Sequence, residues 1–134
     1  MLKKVAKKLI IVALLILVSS NINFTNASAQ RDKPTETWNL SSKGTYYGSG
    51  SAKNVNLFSN YMYTGASKLK VMVNNLENQD LTVEIYRSDS LVCYYRYVVP
   101  AKEGHIFSMN SNSSKKYYFK FIRPCKFDWW VQAG

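Results

Sequence analysis

Apolar side chains recur at every second position through most of the chain, and this period constrains the fold more than any other feature. Leu69, Val71 and Val73 form one such run; Leu81, Val83 and Ile85 form the next. Leu91, Cys93, Tyr95 and Tyr97 follow, then Phe107 and Met109, then Tyr117, Phe119 and Phe121, and last Phe127, Trp129 and Val131. A period of two places one set of side chains on one face of an extended strand. The runs are separated by turn chemistry at Asn74-Asn75, Asn78-Gln79-Asp80, Ser88-Asp89-Ser90, Pro100 to Gly104, Asn110 to Ser114, and Pro124. These links are too short for crossover helices, so the strands must pair antiparallel. About eight strands, each with one apolar face to hide, predict an all-β antiparallel sandwich of jelly-roll or immunoglobulin-like type. A small closed barrel is the alternative. Ten Tyr, six Phe and three Trp agree with strand propensity.

The N-terminus carries a different signal. Lys3, Lys4, Lys7 and Lys8 precede an uncharged run from Leu9 to Val18, and Ala27-Ser28-Ala29 offers small residues where a signal peptidase reads them. The run is shorter than the roughly 20 residues a membrane-spanning helix needs. Residues 1–29 therefore read as a secretory signal peptide cut before Gln30, of Gram-positive bacterial style, leaving a secreted, extracellular protein with no transmembrane anchor. Residues 30–43 read as a flexible leader that docks late through Trp38. Residues 44–134 read as one sandwich domain. Removing four of the 18 lysines and arginines leaves 14 against 8 acidic residues, a net charge of +6. That balance suits anionic surfaces outside the cell, with nucleic acid excluded by export.

Cys93 and Cys125 are an even pair in an exported chain, which favours a disulfide. Closing that loop of about 33 residues would stabilise the fold by roughly 3–4 kcal/mol. Catalytic and metal chemistry is poorly supplied. His105 is the only histidine and neither thiol has a nucleophile signature around it. Most carboxylates fall in turns or the leader; only Glu84 and Asp128 lie within strands, facing away from the core. No catalytic, cofactor or metal residues are assigned, and an enzyme is not expected.

Parity instead predicts a binding surface. If odd-numbered residues of the late strands face inward, the outer face presents Tyr86, Tyr94, Arg96, Tyr118, Lys120 and Trp130. Aromatic rings interleaved with donors suit a sugar ring, an anionic polymer or a membrane headgroup zone. Cross-strand pairing of the same rings, without any ligand, is the competing reading. Trp129 and Trp130 must point to opposite faces, so both are buried only if something such as Trp38 covers the outer one.

The succession Ser67 to Val73, Leu81 to Tyr86 and Lys116 to Phe121 is similar to small secreted bacterial β-sandwich modules, the pre-peptidase C-terminal type and some carbohydrate-binding modules. The resemblance implies a sandwich with an accessory or binding role and transfers no functional residue. The expected function is a secreted, non-enzymatic module that binds an extracellular glycan or anionic cell-wall polymer, with peripheral membrane contact as a further possibility. The alternative is a cationic, bacteriocin-like or membrane-active effector.

Overall fold

The computed structural model describes residues 28–134, so the signal-peptide reading of residues 1–27 lies outside them. Ten strands and one helical turn follow in order: β1 Glu36–Asn39, α1 Leu40–Lys43, β2 Tyr46–Ala52, β3 Leu57–Phe58, β4 Tyr61–Thr64 and β5 Lys68–Asn75. They continue with β6 Leu81–Arg87, β7 Cys93–Val99, β8 Gly104–Asn110, β9 Tyr117–Phe121 and β10 Cys125–Ala133. One sheet runs β1-β4-β9-β6-β7, with β3 also pairing β9; the other runs β2-β10-β5-β8. Neither closes on itself, so the chain is an all-β sandwich and not a barrel. Every pair is antiparallel except β1 with β4.

The core lies between the sheets and is supplied by the predicted alternation. Leu69, Val71, Val73, Val83, Ile85, Phe119, Phe121, Phe127, Trp129 and Val131 are all buried. Trp129 is the centre of an aromatic cluster, 4.8 Å from Phe119, 5.3 Å from Phe121 and 5.7 Å from both Tyr46 and Tyr63, ring centre to ring centre. Such bulk on β10 dictates what its neighbour must be. In β2, Gly48 and Gly50 stand opposite Trp129 and Phe127. A Cβ on Gly50 would lie 2.7 Å from the Phe127 ring, which is itself stacked on Phe121. β2, with the sequence YYGSGSA, is therefore a core strand whose small residues match large partners.

Three expectations need correction. Residues 30–43 are built into the fold. Gln30 exchanges both backbone hydrogen bonds with Phe58, β1 joins the first sheet, and Asn39 caps α1 by accepting from the Ser41 and Ser42 amides. Trp38 donates to the Gly44 carbonyl and packs on Tyr46 and Tyr61, on the core side of its strand and away from Trp130. Leu91, expected in the core, stands in the β6–β7 turn and is 88% exposed.

The disulfide is the third. Cys93 and Cys125 are both free. Cys125 is buried beside Ala52, at the end of the sandwich where Asn75 holds the Val99 carbonyl. Cys93 begins the same strand that Val99 ends, six residues and about 20 Å away along β7. A disulfide needs Cα atoms within roughly 7 Å. Burial pushes the Cys125 thiol up to about 11, which keeps it unreactive.

Candidate binding surface

The six predicted site residues do not share one face. Tyr86, Arg96, Tyr118 and Lys120 lie on the outer side of the first sheet, whereas Trp130 lies on β10 of the second sheet and faces the opposite side of the molecule. Tyr94 leaves the patch for another reason. A β-bulge interrupts the β6–β7 register between Ile85 and Tyr86, so Cys93 takes the position opposite Tyr86. One extra residue reverses parity. Tyr94 accordingly leans toward the sandwich edge, its ring 5.5 Å from core-facing Tyr117 and its hydroxyl donating to the Asn110 carbonyl.

On the first face, register aligns Phe58, Lys120, Glu84 and Arg96 in one row across the strands. Glu84 is nearly buried and organises the row. It accepts from Arg96 at 2.6 and 3.0 Å and from the Tyr86 hydroxyl at 2.8 Å. Burial alone would raise its carboxyl, but these hydrogen bonds and the charges of Arg96 and Lys120 outweigh it and hold the group below its ordinary value. Burial, and then the Glu84 carboxylate, push the Tyr86 phenol up to about 12. Tyr86 stacks on Tyr118 at 5.4 Å. Tyr118 is buried, with the Lys33 ammonium 5.9 Å from its ring centre and Phe58 at 6.1 Å. These aromatic rings are consumed by cross-strand packing and by the crossing leader.

The Glu84 row makes a pH prediction. Because the folded carboxyl sits below its ordinary value of 4.5, its contribution is complete above that value and disappears as pH falls through the lower folded one. Denaturation at a series of acidic pH values should show a stability loss beginning near pH 4.5 that is smaller in Glu84→Gln. An identical acid profile in both proteins would contradict the pairing.

The second face is different in kind. Register aligns Tyr47, Trp130, Met72 and Ile106 in a single row across all four strands. Met72 is the buried floor, Trp130 and Tyr47 are half-buried, and Ile106 is 44% exposed. The row spans roughly 14 Å at the normal strand spacing. Polar rows flank it on both sides: Gln132, Lys70 and Ser108 on one, and Ser49, Asp128, Asn74 and Gly104 on the other. Thr45 extends the first of these by donating to Gln132 at 3.0 Å. The result is an apolar strip edged with hydrogen-bonding groups. Met72 and Ile106 share the outward parity that singled out Trp130; only the pairing order, invisible in a single sequence, shows that they are its neighbours.

The remaining sequence candidates are placed elsewhere. Glu84 and Asp128 lie on the outer faces of different sheets and do not pair. His105 has the Tyr97 hydroxyl 3.1 Å from Nδ1 and a Glu103 carboxylate oxygen 2.9 Å from Nε2, at the start of β8. Among the described residues, no group of three or more His, Cys, Asp or Glu side chains could hold a metal ion. No helix among them is long and apolar enough to cross a membrane.

No protein-family model matches the chain. No curated protein matches it either. Among solved structures it is similar to the pre-peptidase C-terminal domain of a collagenase from Bacillus anthracis, at 14% identity and a TM-score of 0.48. The match covers 77% of this chain and 97% of that one.

Proposed function

We propose that this protein is an exported, non-enzymatic binding module that recognises an extracellular polysaccharide through the strip centred on Trp130. The observation that supports the reading is the alignment of Tyr47, Trp130, Met72 and Ile106 between two polar rows. An apolar strip takes the C–H face of a sugar ring, while side chains beside it exchange hydrogen bonds with the hydroxyls. Lys68, Lys70 and Lys126 outnumber Asp128 on this face of the sheet, so polymers bearing phosphate or carboxylate are favoured over neutral ones. The first face fits the role less well, since its carboxylate and its rings already satisfy one another.

Retention on insoluble peptidoglycan, and titration with soluble poly(glycerol phosphate) and dextran, test the reading. Trp130→Ala should weaken retention at least about tenfold, the loss of one stacked aromatic anchor. Arg96→Ala on the opposite face should leave it within about twofold, below 0.5 kcal/mol. Equal retention of parent and Trp130→Ala, or no retention on any of the polymers, would sink the proposal.

A further inference from the structure

We infer that the β6–β7 tip inserts Leu91 and Val92 into the headgroup boundary of an anionic lipid bilayer. This surface is separate from the Trp130 strip. Leu91 is 88% and Val92 74% exposed, the highest values for large apolar side chains among the described residues. Turn tips ordinarily carry small polar residues, so two adjacent aliphatic side chains there run against solubility.

The loop presenting them is held in place. Asp89 accepts from Arg87 Nε at 2.9 Å, from an Arg87 terminal nitrogen at 3.2 Å and from Lys115 Nζ at 3.1 Å. Ser90 turns back to accept the Val92 amide, and its own amide donates to the Arg87 carbonyl. A tip already ordered loses little conformational freedom on insertion.

Charge identifies the partner. Lys33 lines the same cleft as Asp89 and Leu91. With Arg87 and Lys115, which both bond Asp89, this makes three cations around one carboxylate, a local excess of two positive charges. Tyr94, 45% exposed, lines the adjoining cleft with Val92 and suits the level where ring and hydroxyl straddle the interface. Aliphatic tip, cationic collar and an interfacial tyrosine together match an anionic membrane surface. The tip protrudes and offers no flat aromatic strip on which a sugar ring could lie.

Vesicle sedimentation tests this with the exported form beginning at Gln30, which contains every strand of both sheets. Phosphatidylglycerol vesicles should bind the protein and pure phosphatidylcholine vesicles should bind it much more weakly. The double variant Leu91→Ser, Val92→Ser should partition at least about tenfold less, given the aliphatic surface it removes. Both positions are exposed, so circular dichroism should be unchanged. In Leu91→Trp, acyl-chain-brominated lipid should quench fluorescence beyond the quenching of the parent. Trp130→Ala should leave partitioning unaltered, which separates this inference from the polysaccharide reading. Absent binding, undiminished binding of the double variant, no added quenching, or displacement by soluble glycerol phosphate alone would each overturn it.

Discussion

Trp129→Ala is expected to destabilise the protein by about 3–5 kcal/mol, whereas Trp130→Ala, one residue further on, should cost about 1 kcal/mol or less. The contrast follows from strand parity. Trp129 is 2% exposed and touches rings from both sheets, Tyr46 on neighbouring β2, where it pairs with Val131, and Tyr63, Phe119 and Phe121 across the sandwich. Glycine faces it in β2, and no side chain there can swing in to refill the space. Trp130 lies on the outer face, and its removal leaves a shallow depression that water enters. Urea titration should show the midpoint falling sharply for the first variant and slightly for the second, with similar slopes. Equal losses would mean that both rings are buried and that the outer strip does not exist.

Asn75→Ala should cost about 2–4 kcal/mol, although it removes no apolar surface of consequence. Asn75 is fully buried at the end of β5, where the carbonyls of two turns converge. Its amide nitrogen lies 2.8 Å from the Gln79 carbonyl, 3.1 Å from that of Val99 and 3.3 Å from that of Pro100, while its oxygen accepts the Glu77 amide at 3.0 Å. One side chain thereby ties the β5–β6 turn to the β7–β8 turn, and so one sheet to the other. Alanine would leave these carbonyls facing a dry interior. Asn78→Ala, on the exposed part of the same turn, is the control and should lie within about 0.5 kcal/mol of the parent. A small effect at Asn75 would show that water replaces the amide without penalty.

The alternation made the sandwich legible, because a period of two leaves no other way to bury Leu81, Val83 and Ile85 or Phe127, Trp129 and Val131. What alternation cannot supply is which strands share a sheet. Tyr118 and Trp130 have the same parity and emerge on opposite sides of the molecule. Nor does it register a bulge: alternation puts Tyr94 on the outer face and Leu91 in the core, whereas Tyr94 is the extra residue between Tyr95 and Cys93 and Leu91 stands exposed in the turn before them. Taken alone, Gly48 and Gly50 suit a short strand flanked by turns or a mobile loop, because their reason for being small, Trp129 and Phe127, lies some 80 residues away in the chain. The leader hid its role similarly. Its charges and prolines suggested mobility, yet Gln30 and Trp38 find partners supplied by distant strands.

Solution NMR mapping bears most directly on the claim that the face carrying Trp130, and not the face carrying Glu84, is the binding surface. On addition of soluble poly(glycerol phosphate), the Trp130 indole, the Ile106 and Met72 methyl groups and the Lys70 amide should shift together and saturate at one ligand concentration. Shifts gathered instead on Tyr86, Arg96 and Lys120, or dispersed over both sheets, would contradict it.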